Sequence, residues 1–172
     1  MTVSVHYEDE GLQRMRTFFD ELKRVKTRVG YQPPDGGTRY ETGITVAKLA
    51  AVHEFGGDEL PARSFIRSTI HEQAAAIAAV EEQAIAAALH RVIDGHTDPK
   101  QAAVEACAAI GKFVVGKIRG KLRSAAGWAS ALDPETVSRK GSTTPLDETG
   151  LLADSLSWRV SQGSTELARG KE

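Results

Sequence analysis

An apolar stripe recurring at three- and four-residue steps dominates the chain between Ile66 and Leu122. It is interrupted once, at Asp94-Gly95-His96-Thr97-Asp98-Pro99. Ile66, Ile70, Ile77, Ile85, Leu89 and Val92 fall on one helical face. The spacing predicts a helix of about 30 residues, opened by Pro61 and stopped at Asp94-Gly95. Asp98-Pro99 then supplies an N-cap followed by proline at the first helical position, and Val104, Cys107, Ala108, Val114, Ile118 and Leu122 carry the stripe to about Ser124. Two long helices joined by so short a turn are expected to pack as an antiparallel pair.

The flanking segments add short strands. Val3, Val5 and Tyr7 alternate with polar residues as in a strand with one buried face, and Leu12, Met15, Phe18, Phe19 and Leu22 then predict a helix over 9–25. Thr27 to Tyr31 reads as a strand ended by Pro33-Pro34-Asp35-Gly36-Gly37, where proline and glycine stop ladder pairing. Thr45 caps a short helix through Val46, Leu49, Ala50, Val52 and Phe55, closed by Gly56-Gly57. Beyond Gly127, Asp133 to Val137 reads as a capped helical turn and Lys140 to Pro145 as an exposed loop. A last helical turn starts at Gly150-Leu151-Leu152, and Leu156, Trp158 and Val160 alternate with polar residues as a strand. The expected fold is therefore α+β: a small, mostly antiparallel sheet from strands near both termini, packed with the long helix pair. A single domain is expected over 1–161, with mobile loops at 33–42 and 139–148 and a flexible tail at 162–172.

Composition narrows the function classes. With 172 residues, 41% hydrophobic and 26% charged, the chain suits one ordinary globular domain. A formal net charge of -1 removes any global electrostatic case for nucleic acid or anionic membrane, leaving local patches to be argued one by one. The start MTVSVHYEDE lacks the features of a secretory signal, the lone Cys107 has no internal disulfide partner, and no apolar run is long enough for a membrane span. A protein made in the cytoplasm, without membrane contact, is expected.

Catalytic and metal constellations are not found. His53-Glu54 lacks the second histidine of a His-Glu-x-x-His zinc helix, because Gly57 occupies that place, and His71, His90 and His96 are too widely spaced to share an ion. His6, among acidic neighbours, reads as solvated. There is no Gly-x-Ser-x-Gly elbow, and Cys107 lies on an alanine-rich face where it reads as a small buried hydrophobe. Gly30, Gly36 and Gly37 read as turn residues, since Gly37-Thr38-Arg39 lacks the lysine of a phosphate loop. No enzyme activity, cofactor or metal is expected.

The charge pattern is biased once. Lys112, Lys117, Arg119, Lys121 and Arg123 follow Glu105 with no acid before Asp133. Helical geometry places Lys112, Arg119 and Arg123 at a similar azimuth, with Lys117 and Lys121 alongside. Such a face is either simply solvated, with charges favouring a helix C-terminus, or meets DNA or an acidic neighbouring subunit. Gly111, Gly116 and Gly120 in the same helix each cost about 1 kcal/mol relative to alanine, which calls for close backbone packing, a kink or an early helix end.

Three strings remain that generic folding does not explain: Arg28-Val29-Gly30-Tyr31; Thr45 to Gly57 with Leu60-Pro61-Ala62-Arg63-Ser64-Phe65-Ile66-Arg67; and Pro145 to Leu156. Their content and order resemble the neck and tail-completion proteins of tailed bacteriophages, also called virion morphogenesis or head-tail joining proteins. That family shows a Val-Gly-aromatic strand, an Ala-x-x-x-Glu-Phe-Gly helix end, a Pro-x-Arg-x-Phe-x-Arg segment and a Thr-Gly-x-Leu-x-x-Ser-hydrophobic segment. Ser64 departs from it, standing where the family carries proline. The resemblance implies a structural subunit of the virion, forming a homo-oligomeric ring of six at the head-tail junction. Such a ring joins connector or head-closure proteins to tail-tube proteins and lets DNA pass, with transient non-specific contact in its lumen. A tail terminator capping the tube is the alternative, and a nucleic-acid-binding regulator is a more distant one. Glu54, Phe55, Gly56, Arg63, Phe65 and Arg67 are the candidate subunit contacts, with Phe65 an anchor and the arginines reaching carboxylates of the same or the next subunit. The other reading is that this corner packs only within its own monomer. The two polar loops are expected to order against neighbouring proteins.

Overall fold

A computed structural model describes residues 9–57, 60–129, 138, 146 and 150–171. Helix α1 (Glu10–Arg24) starts where the Asp9 carboxylate accepts the Leu12 amide at 3.2 Å, and it runs directly into strand β1 (Val25–Gly30). Helix α2 (Val46–Phe55) starts at Thr45, whose hydroxyl accepts the Lys48 amide at 3.3 Å. It stops at Gly56, whose φ of 78° suits a residue without Cβ. Helix α5 (Pro99–Arg123) is capped by Asp98, which accepts the amides of Lys100 and Gln101 at 3.0 and 3.1 Å. The starts of α2 and α5 lie where Thr45 and Asp98 placed them, and α1 falls within the expected 9–25.

The first long helix is a correction. Instead of one rod from Pro61, there are two helices, α3 (Ile66–Glu72) and α4 (Ala74–Ile93), broken at Gln73 with φ −101° and ψ 10°. Within α3, Ser68 and Thr69 donate their hydroxyls to the carbonyls of Ser64 and Phe65 at 2.6 Å each. Back-bonding of this kind competes with the amide ladder and bends a helix. Residues 61–65 stay outside the helix because they are held by Glu54, as described below.

After α5, a turn at Ala125–Gly127 leads toward α6 (Leu151–Asp154), which ends just before strand β2 (Ser157–Gln162). Strand β3 (Thr165–Gly170) follows and closes a three-stranded antiparallel sheet in the order β1-β2-β3. Here the expectation of a flexible tail from 162 fails. The chain reverses at Gly163, with φ 59°, and β3 takes up the free edge of β2, with Trp158 opposite Gly170 and Val160 opposite Ala168. Gly170 is required: a Cβ there would come 2.7 Å from Trp158 Cζ2. The segment buries little, so its order comes from backbone pairing to an existing edge and not from an apolar pattern.

The expected strand at 3–7, the turn at 133–137 and most of the loop at 139–148 lie outside the described residues; Leu146 in that loop is buried. The loop at 33–42 takes a defined path. Asp35–Gly37 forms a 3-10 turn, and the Tyr40 amide donates to Ile44 O at 3.0 Å. Gly36 is seated so tightly that a Cβ would lie 2.5 Å from the Tyr31 carbonyl oxygen.

Helix α5 is the spine. It packs antiparallel to α4 and lies across one face of the sheet, with α1 against both helices. Its N-terminal half, through Ala102, Ala103, Ala106 and Cys107, shares a core cluster with Phe18, Val25, Ala88, Val92 and Val160. Its C-terminal half, through Val114, Val115, Ile118 and Leu122, shares another with Val46, Ala50, Phe65, Leu146, Leu152 and Leu156. Between the two halves, Gly111 lets the helix approach the sheet: a Cβ would sit 2.9 Å from Trp158 Cβ and 3.0 Å from Thr27 Cγ2. Close packing therefore accounts for Gly111. Gly116 and Gly120 meet nothing within 4 Å among the described residues, which give no packing reason for them.

Candidate functional site

The three strings singled out above meet in one place. Val29 and Tyr31 from β1, Val46, Ala50 and Phe65 from the α2–α3 region, and Leu152 and Leu156 from around α6 all pack on the C-terminal half of α5. The Tyr31 and Phe65 rings stand edge to face, with centroids 6.3 Å apart at 77°. Burial, with Tyr40 and Glu54 nearby, pushes the Tyr31 phenol well above its ordinary range, so it stays neutral.

Glu54 organises the corner. It is the last-turn carboxylate of α2, 4% exposed, yet it carries no isolated charge. One oxygen accepts the amides of Phe65 and Ile66 at 2.8 and 2.9 Å. The other accepts the Ser64 hydroxyl at 2.7 Å, the Arg67 amide at 2.9 Å and Arg67 Nε at 3.0 Å. These are the first amides of α3, which has no capping side chain of its own; Glu54 serves as that cap from another helix. Burial alone would raise this carboxyl. The hydrogen bonds from Ile66, Arg67 and Ser64 outweigh it and hold the group below the usual carboxylate range. The Ser64 hydroxyl is thus a partner of Glu54.

The remaining corner residues divide into two sets. Phe65 is fully buried and Arg63 is 6% exposed, and the Arg63 amide donates to His53 O at 2.7 Å. Phe65 fills the core of its own chain, so the anchoring role expected of it is intramolecular. Gly56 is held by geometry, a Cβ there lying 3.0 Å from Leu60 O and from the Ala62 amide nitrogen. Phe55 instead projects outward, 67% exposed, with the Arg67 guanidinium 4.7 Å from its ring centroid. Arg67 also donates from Nη2 to Glu54 O at 2.9 Å. Leu60 and Ile70 are further exposed apolar side chains around this corner. On the other side of α2, Tyr40, Ile44, Leu49 and Leu151, with Arg39, Glu41 and Thr42, line a pocket of about 560 Å³.

The basic helix is a further correction. Arg119 is 6% exposed and turned inward, donating from Nε to Ala153 O and from Nη2 to Leu156 O, both at 2.9 Å. These carbonyls lie at and just beyond the end of α6, and a planar guanidinium reaches both at once. Lys121 pairs with Glu72 at 2.7 Å and lies 4.9 Å from the Trp128 ring centroid. Lys112, Lys117 and Arg123 are exposed, with Lys117 over Phe113 at 5.1 Å. A continuous cationic stripe along α5 does not form, because one member caps a core element and another is paired.

The sheet carries a charged face that the sequence reading did not single out. Arg28, Arg159 and Arg169 stand directly opposite one another across β1, β2 and β3, on the side away from α5. Lys26 lies on the same face one pleat along. Arg28 and Arg159 sit in segments read as strands, but their register and the assignment of Arg169 to a strand exist only in the tertiary fold.

Cys107 is buried, and burial pushes its thiol upward, which leaves it an inert core residue. Among the described residues, no group of three His, Cys, Asp or Glu side chains is placed to hold a metal ion. No helix among them is long and apolar enough to cross a membrane. No family model, no curated protein and no solved structure matches this chain.

Proposed function

We propose that the chain is a ring-forming structural subunit of the head-tail interface of a tailed phage, a neck or tail-completion protein with protein partners. The observation that carries this reading is Phe55, two-thirds exposed at the end of a helix whose neighbouring carboxylate is saturated and immobile. A large aromatic on a preorganised support, flanked by Arg67, has the composition of an interface anchor. Closed rings need two different, complementary patches on each subunit. The apolar pocket around Ile44, Leu49 and Leu151 is the second patch, and Phe55 of one subunit enters that of the next. The local strings Glu54-Phe55-Gly56 and Pro61 to Arg67, which carry the family resemblance, build this same corner.

Native mass measurement and negative-stain microscopy of the protein, alone and mixed with tails, test the proposal. Rings, alone or on tails, are expected for the natural chain. Phe55→Glu, or Leu49→Glu in the pocket, should abolish them while thermal melting stays nearly unchanged. A natural chain that remains monomeric and binds neither tails nor connectors would overturn the reading.

A further inference from the structure

The arginine ladder is chemically costly as it stands. Like charges directly opposite on adjacent strands repel, and Arg28, Arg159 and Arg169 occupy three successive strands in register. The fold neutralises this only in part. Arg159 pairs with Glu166 at 2.8 Å and donates to Pro33 O at 3.3 Å. Arg169 and Lys171 share Asp35 at 3.6 and 3.0 Å. Arg28 finds the Ser161 hydroxyl at 2.8 Å, and Lys26 is exposed beside it. Among the described residues, five cations against two carboxylates leave an excess of three positive charges on this face, in a chain whose net charge is -1.

We propose that this sheet face binds the phosphate backbone of nucleic acid, without regard to sequence. Among the described residues its outer side chains are Lys26, Arg28, Ser157, Arg159, Ser161, Arg169 and the lone acid Glu166, with no apolar or aromatic member. A protein partner would need an apolar anchor at the centre of its footprint, whereas nucleic-acid interfaces are polar and strongly cationic. Three arginines at strand spacing, about 5 Å apart, form a row on the order of 10 Å long, the scale of neighbouring phosphates along a strand. Arginine also suits the task, because its planar fork binds phosphate oxygens in pairs. With no ring to stack on, bases are not read, and contact is confined to the backbone. This face lies on the opposite side of the sheet from α5, so Lys112 and Lys117 are no part of it. The inference does not rest on the ring assignment: binding by the subunit tests the face, and particle mass tests the ring.

Fluorescence anisotropy of the full chain with a short labelled DNA duplex of random sequence is the measurement, repeated between about 50 and 200 mM salt. The natural chain should bind, with log K falling against log salt at a slope of about −3, near 0.9 per neutralised phosphate. Arg28→Gln with Arg169→Gln should reduce that slope by about two, and Lys26→Gln alone by about one, with melting temperatures confirming the fold. Lys112→Gln with Lys117→Gln should leave it unchanged. The proposal is overturned if the natural chain does not bind at the lowest salt, or if the sheet variants keep the full slope. It is equally overturned if the α5 variant loses as much, or if poly-glutamate of matched charge binds more tightly than the duplex, which would make an acidic polypeptide the occupant.

Discussion

Replacing Glu54 by glutamine removes one acceptor oxygen and changes almost nothing in shape. The carboxylate receives five hydrogen bonds, two on Oε2 from the amides of Phe65 and Ile66 and three on Oε1 from Ser64 and Arg67. A carboxamide has a single acceptor oxygen and turns its NH2 toward the other set. Whichever way it is turned, two N–H donors lose their acceptor: Phe65 and Ile66 in one orientation, the amide and Nε of Arg67 in the other. Each such loss costs about 1–3 kcal/mol when buried, and because the Ile66 and Arg67 groups are only partly buried, water recovers some of it. We expect about 3 kcal/mol at neutral pH. For a chain of this size that lowers the melting temperature by about 6–12 °C. The Arg67 ion pair itself adds little, since its side chain is 60% exposed.

The pH dependence provides the sharper test. Glu54 titrates lower in the folded than in the unfolded state, so its contribution is fully present above the unfolded value of about 4.3 and is lost as the pH falls through the folded value. The gap between the natural chain and Glu54→Gln should therefore be widest near neutrality and close in acid. Calorimetric melting across the range from about pH 7 to about pH 3 measures it. A melting temperature within about 2 °C of the natural chain at pH 7, or a gap that does not narrow in acid, would refute the capping role.

Two further predictions concern α5. Gly111→Ala should destabilise by about 1–3 kcal/mol, because the new methyl meets Trp158 and Thr27, whereas Gly116→Ala, facing open space, should stabilise by up to about 1 kcal/mol. Urea unfolding of both variants checks the pair, and shifts of the same sign would show the glycines to be equivalent. Arg119→Lys should cost about 2 kcal/mol, since an ammonium does not reproduce the two parallel bonds to Ala153 O and Leu156 O, and hydrogen exchange should then quicken around α6. Unaltered exchange there would argue that Arg119 does not hold the end of α6.

Most of the secondary structure was legible from spacing and caps. Thr45, Asp98 and Gly56 mark helix ends through local hydrogen bonding and a local φ, and both depend on neighbours within a few residues. The antiparallel helix pair followed from period and a short turn, the strand at Thr27 to Tyr31 from its β-forming residues and the one from Leu156 to Val160 from alternation, because burying a stripe needs nothing more specific than a partner surface. The break at Gln73 left no mark in the apolar spacing, and the hydroxyls of Ser68 and Thr69 in the helix before it have alternatives, so only the fold selects their back-bonding.

What tertiary structure decided was the direction in which charged and aromatic side chains point. Helical geometry put Arg119 on one azimuth with Lys112 and Arg123; whether that azimuth faces water depends on α6, which arrives some 30 residues later and presents two carbonyls to it. Within the corner from Glu54 to Arg67, the motif named the residues, and the fold sorted them into a buried cap, a buried core ring and an exposed aromatic. The arginine ladder was beyond reach, because registers between strands more than a hundred residues apart, and the very existence of β3, are set by backbone pairing. Local sequence determines which elements form, since their causes are local; which faces remain for partners depends on where every other element comes to rest.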